Sequence, residues 1–228
     1  MIESERASHF WVAGPPFFSS TIMVASGAAD GIAGTVKASC ELFDVDGTPV
    51  QQFQVEFPGR EVGIIETEPF MSGLKMQAGI AQGHLVVRSR SGTTHICRQQ
   101  LGEHVGIISA PRAILNREMG CMPLILGNRR EHLVVLLNSS SEGGSAVVRL
   151  LYGTRSPEWT VQIPGNGCRV ISLEHELLST FDDSSWQRGV VQGYLRISPR
   201  AQSMVCQMIE RLPGETEQQE SFRCVSSW

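Results

Sequence analysis

The chain is short of charge, of basic clusters and of long apolar runs, and each shortage removes a class of protein. Charged side chains make up only 18% of 228 residues while 41% are hydrophobic, a balance unlike that of disordered or coiled-coil chains. The 19 Lys and Arg are scattered singly or in short pairs such as Arg129-Arg130, and the net charge is −4. Duplex nucleic acid is normally read by a concentrated basic face that displaces counterions, so no nucleic-acid partner is expected. No apolar stretch reaches membrane-spanning length, and none is expected to embed the chain in a bilayer. The first residues, Met1-Ile2-Glu3-Ser4-Glu5-Arg6, carry two acids and lead into no signal-peptide core. With Met1 as the natural start, a cytoplasmic protein with reduced thiols is expected.

Motifs that carry chemistry are equally scarce. The six cysteines stand far apart at 40, 97, 121, 168, 206 and 224, with no Cys-x-x-Cys pair to suggest a redox or zinc site. Free thiols fit this spacing, and a bridge from Cys40 to Cys97 between two strands stays open. The six histidines, at 9, 84, 95, 104, 132 and 175, show no His-x-x-x-His spacing. No Gly-x-Ser-x-Gly elbow, P-loop or dinucleotide fingerprint is present. The glycine-rich stretches Gly27 to Gly34 and Gly143-Gly144 lack a phosphate-gripping Lys and a following helix, and read as hairpin turns. The expectation is a chain that is not an enzyme and holds no metal or cofactor.

What is present is an internal repeat. Phe53-Gln54-Val55-Glu56-Phe57-Pro58-Gly59 returns as Trp159-Thr160-Val161-Gln162-Ile163-Pro164-Gly165. Gln82-Gly83-His84-Leu85-Val86-Val87 returns as Gln192-Gly193-Tyr194-Leu195-Arg196-Ile197, and His95-Ile96-Cys97 as Met204-Val205-Cys206. Each block alternates apolar and polar residues, so residues two apart share one face of a strand. Phe53, Val55 and Phe57 then point inward, and Gln52, Gln54 and Glu56 point to water. Asp44-Val45-Asp46-Gly47 and Gly153-Thr154-Arg155-Ser156 carry hairpin-turn chemistry, and Pro58-Gly59 and Pro164-Gly165 end strands. Helical stretches are confined to Leu173 to Leu178 and Arg112 to Arg117. The fold expected is all-β: two tandem β-sandwich modules, immunoglobulin-like or jelly-roll-like, related by internal duplication. The first spans 1–105 and the second 122–228. A connecting segment, 106–121, has apolar Ile107 and Ile108 at its start, with Val105 just before it, which suggest that it packs against a module.

The strand pattern resembles the sensory rhodopsin transducer family of small bacterial β-sandwich proteins. The second copy carries most of it: Val134-Val135-Leu136-Leu137-Asn138, Val147-Val148-Arg149-Leu150-Leu151-Tyr152, Val161-Gln162-Ile163-Pro164 and Ser203-Met204-Val205-Cys206-Gln207. In the first copy, Phe10-Trp11-Val12-Ala13-Gly14 followed by Pro15-Pro16 resembles the family's opening Trp strand and Pro-rich loop. The resemblance implies a signalling adaptor that oligomerises and binds a protein partner, such as the cytoplasmic face of a membrane receptor. It implies no catalytic residue. A tandem pair departs from the family's single module, so covalent pairing here replaces part of its oligomerisation.

Exposed aromatics on a stiff loop are efficient contact residues, which makes Pro15, Pro16, Phe17 and Phe18 candidate binding residues, along with Trp186 and the terminal Trp228. The alternative is that these rings cover the ends of the cores. The same tryptophans, with Trp11, would serve a second function class, carbohydrate or small-ligand binding by stacking. A self-assembling structural subunit is a third. Glu66 and Glu68 recur as Glu174 and Glu176, read as two acids on one side of an extended strand and more readily solvated than metal-bound. His95 and Cys97, two apart, would share a face as half of a zinc site, although the apolar alternation of Met204, Cys206 and Met208 favours core packing.

Overall fold

The computed structural model describes residues 5–15, 18–26, 34–59, 61–77, 80–127, 129–212 and 221–226, so the expected turn at Gly27 to Gly34 lies almost wholly outside the described residues. Strands take 65% of the described residues and helix 8%, which settles the class as all-β with antiparallel sheets. The chain divides into two compact units, Met1–Pro111 and Arg112–Trp228.

The first unit contains β1 (Glu5–Ala13), β2 (Phe18–Ser26), β3 (Thr35–Asp44), β4 (Pro49–Pro58), β5 (Val62–Glu66), β6 (Met76–Gln77), β7 (Ile80–Arg90), β8 (Thr93–Leu101) and β9 (His104–Ser109). One sheet has the order β1-β7-β3-β4, with β6 paired to β7, and the other has the order β5-β2-β8-β9. Period-2 burial shows how the sequence builds them. Val36, Ala38, Cys40 and Leu42 of β3 are buried, as are Ile22 and Val24 of β2. On β4, Gln52, Gln54 and Glu56 face solvent while Phe57 is buried. The β3–β4 hairpin closes as its residues predict: Asp44 Oδ1 accepts the backbone N–H groups of Asp46 and Thr48, both at 2.9 Å, and Gly47 takes φ 80°. A left-handed residue costs little only when it has no side chain.

The second unit contains β10 (Ala113–Ile114), β11 (Gly120–Leu126), β12 (Glu131–Asn138), β13 (Gly144–Tyr152), β14 (Glu158–Ile163), β15 (Cys168–Ser172), α1 (Leu173–Ser179), β16 (Val191–Arg200), β17 (Met204–Leu212) and β18 (Ser221–Ser226). Its sheets run β11-β16-β13-β14 and β10-β17-β12-β15, with β18 also on β17. Inward rows from both sheets meet in one apolar core, including Met122, Leu124, Val134, Leu136, Val148, Leu150, Leu195 and Met208.

The stretch 106–121 is divided between the units. Most of β9 lies in it and pairs with β8, while β10 pairs with β17. Ile108 is buried, but strand alternation turns Val105 and Ile107 outward. Residues 112–117 form no helix; they carry β10 and a turn. The five cysteines with described side chains, Cys40, Cys97, Cys121, Cys168 and Cys206, are free. Burial pushes the Cys40 thiol up to about 12 and that of Cys206 up further, which leaves both protonated and unreactive at neutral pH.

Candidate functional site

The outer face of β5-β2-β8-β9 carries an apolar row across three of its four strands, ending on Ser109 of β9. Outward rows are set by register: Ile64, Met23 and Ile96 lie side by side, as do Val62, Ala25 and Thr94, and Glu66, Thr21, Arg98 and Ile107. Ile64 is 64% exposed, Ile107 58%, Val62 54% and Val105 44%. Single exposed aliphatics are ordinary, whereas a contiguous row of them marks a contact surface. The ionised side chains on these rows are Glu66, on the β5 edge, and Arg98, two strands away. Thr21 donates to Glu66 Oε2 at 2.9 Å and Arg98 donates to Gln100 Oε1 at 2.9 Å, so both are held in place.

A charged network lies inside the second unit. His132 on β12 pairs in register with Glu210 on β17, and α1 brings Glu174 to the same point. The imidazole is fully buried, with Nδ1 2.6 Å from Glu174 Oε1 and Nε2 3.5 Å from Glu210 Oε1. Arg130 Nη1 bonds Glu210 Oε1 at 2.6 Å, and the His132 backbone N–H donates to Glu174 Oε2 at 2.9 Å. Burial opposes charge on His132, but hydrogen bonds and attraction from both carboxylates outweigh it and raise its pKa. Each ring nitrogen faces a different carboxylate, so the three side chains do not converge on a common point as metal ligands do. The arrangement holds a proton and braces β12, β17 and α1 together.

The equivalent interior of the first unit is neutral. His95 on β8 bonds Ser8 of β1 through Nδ1 at 2.8 Å and Ser89 of β7 through Nε2 at 2.7 Å. Gln99 donates to the Trp11 carbonyl at 2.8 Å, and Ser20 donates to the Ala13 carbonyl and accepts the Ala13 N–H. These bonds tie one sheet to the other across the interior. Burial first, and the nearby Arg6 charge second, lower the His95 pKa to about 4, so the ring is neutral at physiological pH.

The residues singled out from sequence are dispersed. Pro15 is exposed, while Phe18 is buried edge-on against Trp11 with centroids 5.4 Å apart. Trp186 is 6% exposed, and its indole N–H donates to the Asp183 carbonyl at 2.8 Å. Trp11 is 1% exposed and donates to Gln82 Oε1 at 2.8 Å. Neither indole presents an open face for stacking. Pro16, Phe17 and Trp228 lie outside the described residues. Glu66 and Glu68 straddle the end of β5 and the start of a 3₁₀ turn, and Glu174 and Glu176 stand in the first turn of α1. Residues two apart on a helix do not face one another, so in the second copy the expected pair of carboxylates on one side of a strand does not form, while in the first Glu66 and Glu68 are both exposed on either side of buried Thr67. His95 has both ring nitrogens engaged, and Cys97 Sγ accepts from Gln99 Nε2 at 3.4 Å, which leaves no zinc half-site there.

Sequence reading took Glu174 only as one of a repeated pair of acids, weighed His132 only for metal-ligand spacing, and passed over Glu210. The available signal was a charged residue at an inward position of an apolar strand, as in Glu131-His132-Leu133-Val134 and Met208-Ile209-Glu210. No helix among the described residues is long and apolar enough to cross a membrane. Compared with protein-family models, curated proteins and solved structures, the chain matches none of them.

Proposed function

We propose that the chain is a non-catalytic protein-binding module of adaptor type that works as a homodimer through the outer face of β5-β2-β8-β9. The observation that carries this reading is the apolar row Ile64, Met23, Ile96, with exposed Ile107 diagonal to it on β9 opposite Arg98 and Val105 further along that strand. A second copy is the occupant that fits its charges. Glu66 and Arg98 sit apart on one face, so a two-fold axis through the face sets each Glu66 toward the other copy's Arg98. Four strands of about five residues make a face of roughly 15 by 17 Å, about 250 Å² per partner against about 800 Å² in a standard stable interface, so the association is expected to be weak and transient, at about 100 µM. Sedimentation of the full chain from 1 to about 100 µM tests it against an Ile64→Asp, Ile107→Asp variant of unchanged melting temperature. Concentration-dependent dimerisation lost in the variant supports the proposal. A wild-type chain monomeric throughout, or a variant that still dimerises, overturns it.

We further infer that the two units are β-sandwich modules descended from one duplicated ancestor. Strand orders correspond throughout: β1-β7-β3-β4 with β11-β16-β13-β14, and β5-β2-β8-β9 with β15-β12-β17-β18. Register agrees as well, since Cys40 pairs with Val87 as Val148 pairs with Ile197, and Ser20 with Gln99 as His132 with Glu210. An aromatic pair recurs too: Phe53 stacks on Phe70 at 4.1 Å, and Trp159 packs on Phe181 at 5.7 Å. In this register Cys97 corresponds to Met208, so the match of His95-Ile96-Cys97 to Met204-Val205-Cys206 is two residues out and keeps the same face. The adaptor reading, including a receptor's cytoplasmic face as the further partner, rests on this surface and on the sequence resemblance.

A further inference from the structure

The outer face of β11-β16-β13-β14 gathers three arginines around one hollow. Arg149 on β13 and Arg196 on β16 are direct cross-strand partners, and Arg200 lies four residues further along β16 on the same side. With Glu158, Val147 and Ser198 they line a hollow of about 160 Å³. Arg149 Nε donates to Glu158 Oε2 at 2.5 Å, so one of the three cations is balanced. Among the described residues Arg196 has only the Met119 thioether sulfur against its guanidinium, at 2.7 and 2.9 Å, and Arg200 has no side-chain partner. Arg200 also borders a larger hollow of about 470 Å³ with Arg169, Ser145 and Gln162 on its walls.

Like charges directly opposite one another on a sheet repel and destabilise it. The first unit avoids this at the corresponding place: Glu41 stands opposite Val86, and Arg88 is ion-paired to Glu41. The second unit instead places three guanidiniums and one carboxylate around a single hollow, in a chain whose net charge is −4. A bound anion of matching charge would relieve that repulsion. Guanidinium donors suit tetrahedral oxyanions, because three forks supply more N–H groups than the two oxygens of a carboxylate accept, and a phosphate carries nearly two charges at neutral pH.

We propose that this hollow binds a phosphate group, with Arg196 and Arg200 as its principal donors, Arg149 as a bridging donor still held by Glu158, and Ser198 as a neutral one. The site is independent of the apolar face on the first unit. Calorimetric titration of the full chain at constant ionic strength tests it with two probes, inorganic phosphate and a short phosphoserine peptide beside its unphosphorylated form. Saturable binding of either phosphate probe is expected, weakened at least about tenfold by Arg196→Gln or Arg200→Gln and unchanged by Arg117→Gln, whose parent residue is exposed elsewhere on the same unit. Tighter binding of the phosphopeptide assigns the phosphate to a macromolecule, and equal or tighter binding of inorganic phosphate assigns it to a small molecule. Melting temperatures of the variants without ligand establish that they fold. Failure of both phosphate probes to saturate, equal binding of the unphosphorylated peptide, or equal weakening by Arg117→Gln overturns the proposal.

Discussion

Acid should open the first unit before the second, and His95 is the main reason. Its imidazole is 0% exposed, satisfied on both nitrogens by serine hydroxyls, and lowered by burial to about 4 from an ordinary 6.5. His9, partly buried beside His84 with its Nδ1 3.0 Å from the His84 Nε2, is lowered to about 4 by burial and then by the Arg88 charge. Between these values and 6.5 the unfolded chain binds protons that the folded unit refuses. Stability is therefore full above about pH 6.5 and falls as pH drops toward 4, by roughly 1.4 kcal/mol per pH unit for each fully shifted histidine. Over the window His95 removes roughly 3 kcal/mol and the less buried His9 a fraction of that, against a domain stability of about 5–15 kcal/mol. His132 works with the opposite sign. Its raised pKa makes its contribution complete below 6.5 and loses it as pH rises through the folded value. Hydrogen exchange read by mass spectrometry from pH 7.5 to about 5, corrected for intrinsic rates, should show protection in β8 falling well before that in β12 and β17. His95→Gln, which keeps a donor and an acceptor but does not titrate, should flatten the slope of the first unit. Equal slopes in both units, or an unchanged slope in the variant, would refute the reasoning.

Removing the shared carboxylate of the second unit should be costly. Glu210→Ala leaves Arg130 and the buried His132 without it, an expected loss of about 3–5 kcal/mol in urea unfolding, with the His132 pKa falling by NMR titration. Gly127→Ala meets two obstacles at once, φ 86° and a Cβ that would stand 1.9 Å from the Gly189 carbonyl oxygen. It should cost more than about 2 kcal/mol, and a smaller measured loss would show that the loop carrying Gly189 shifts freely.

The division between what sequence determines here and what folding adds follows the range of the interactions. Alternation along single strands, Asp44 to Gly47 in a turn and the repeated Pro-Gly strand ends are local matters of period and backbone conformation, and they made the all-β class and its strand pattern legible from Phe53 to Gly59 and again from Trp159 to Gly165. Sequence could not tell whether an apolar residue at a correct period faces inward. Ile107 and Ile108 read alike in the chain, and only the pairing of β9 with β8 sends one to solvent and the other into the core. Nor could it see that Arg149 and Arg196, 47 residues apart, stand opposite one another, or that Glu174 and Glu210 flank the two ring nitrogens of the buried His132. Those neighbours come from cross-strand register, which depends on how distant strands pair to fill a common interior. The candidate surfaces of this chain are products of that pairing, while the strands that carry them are properties of the sequence.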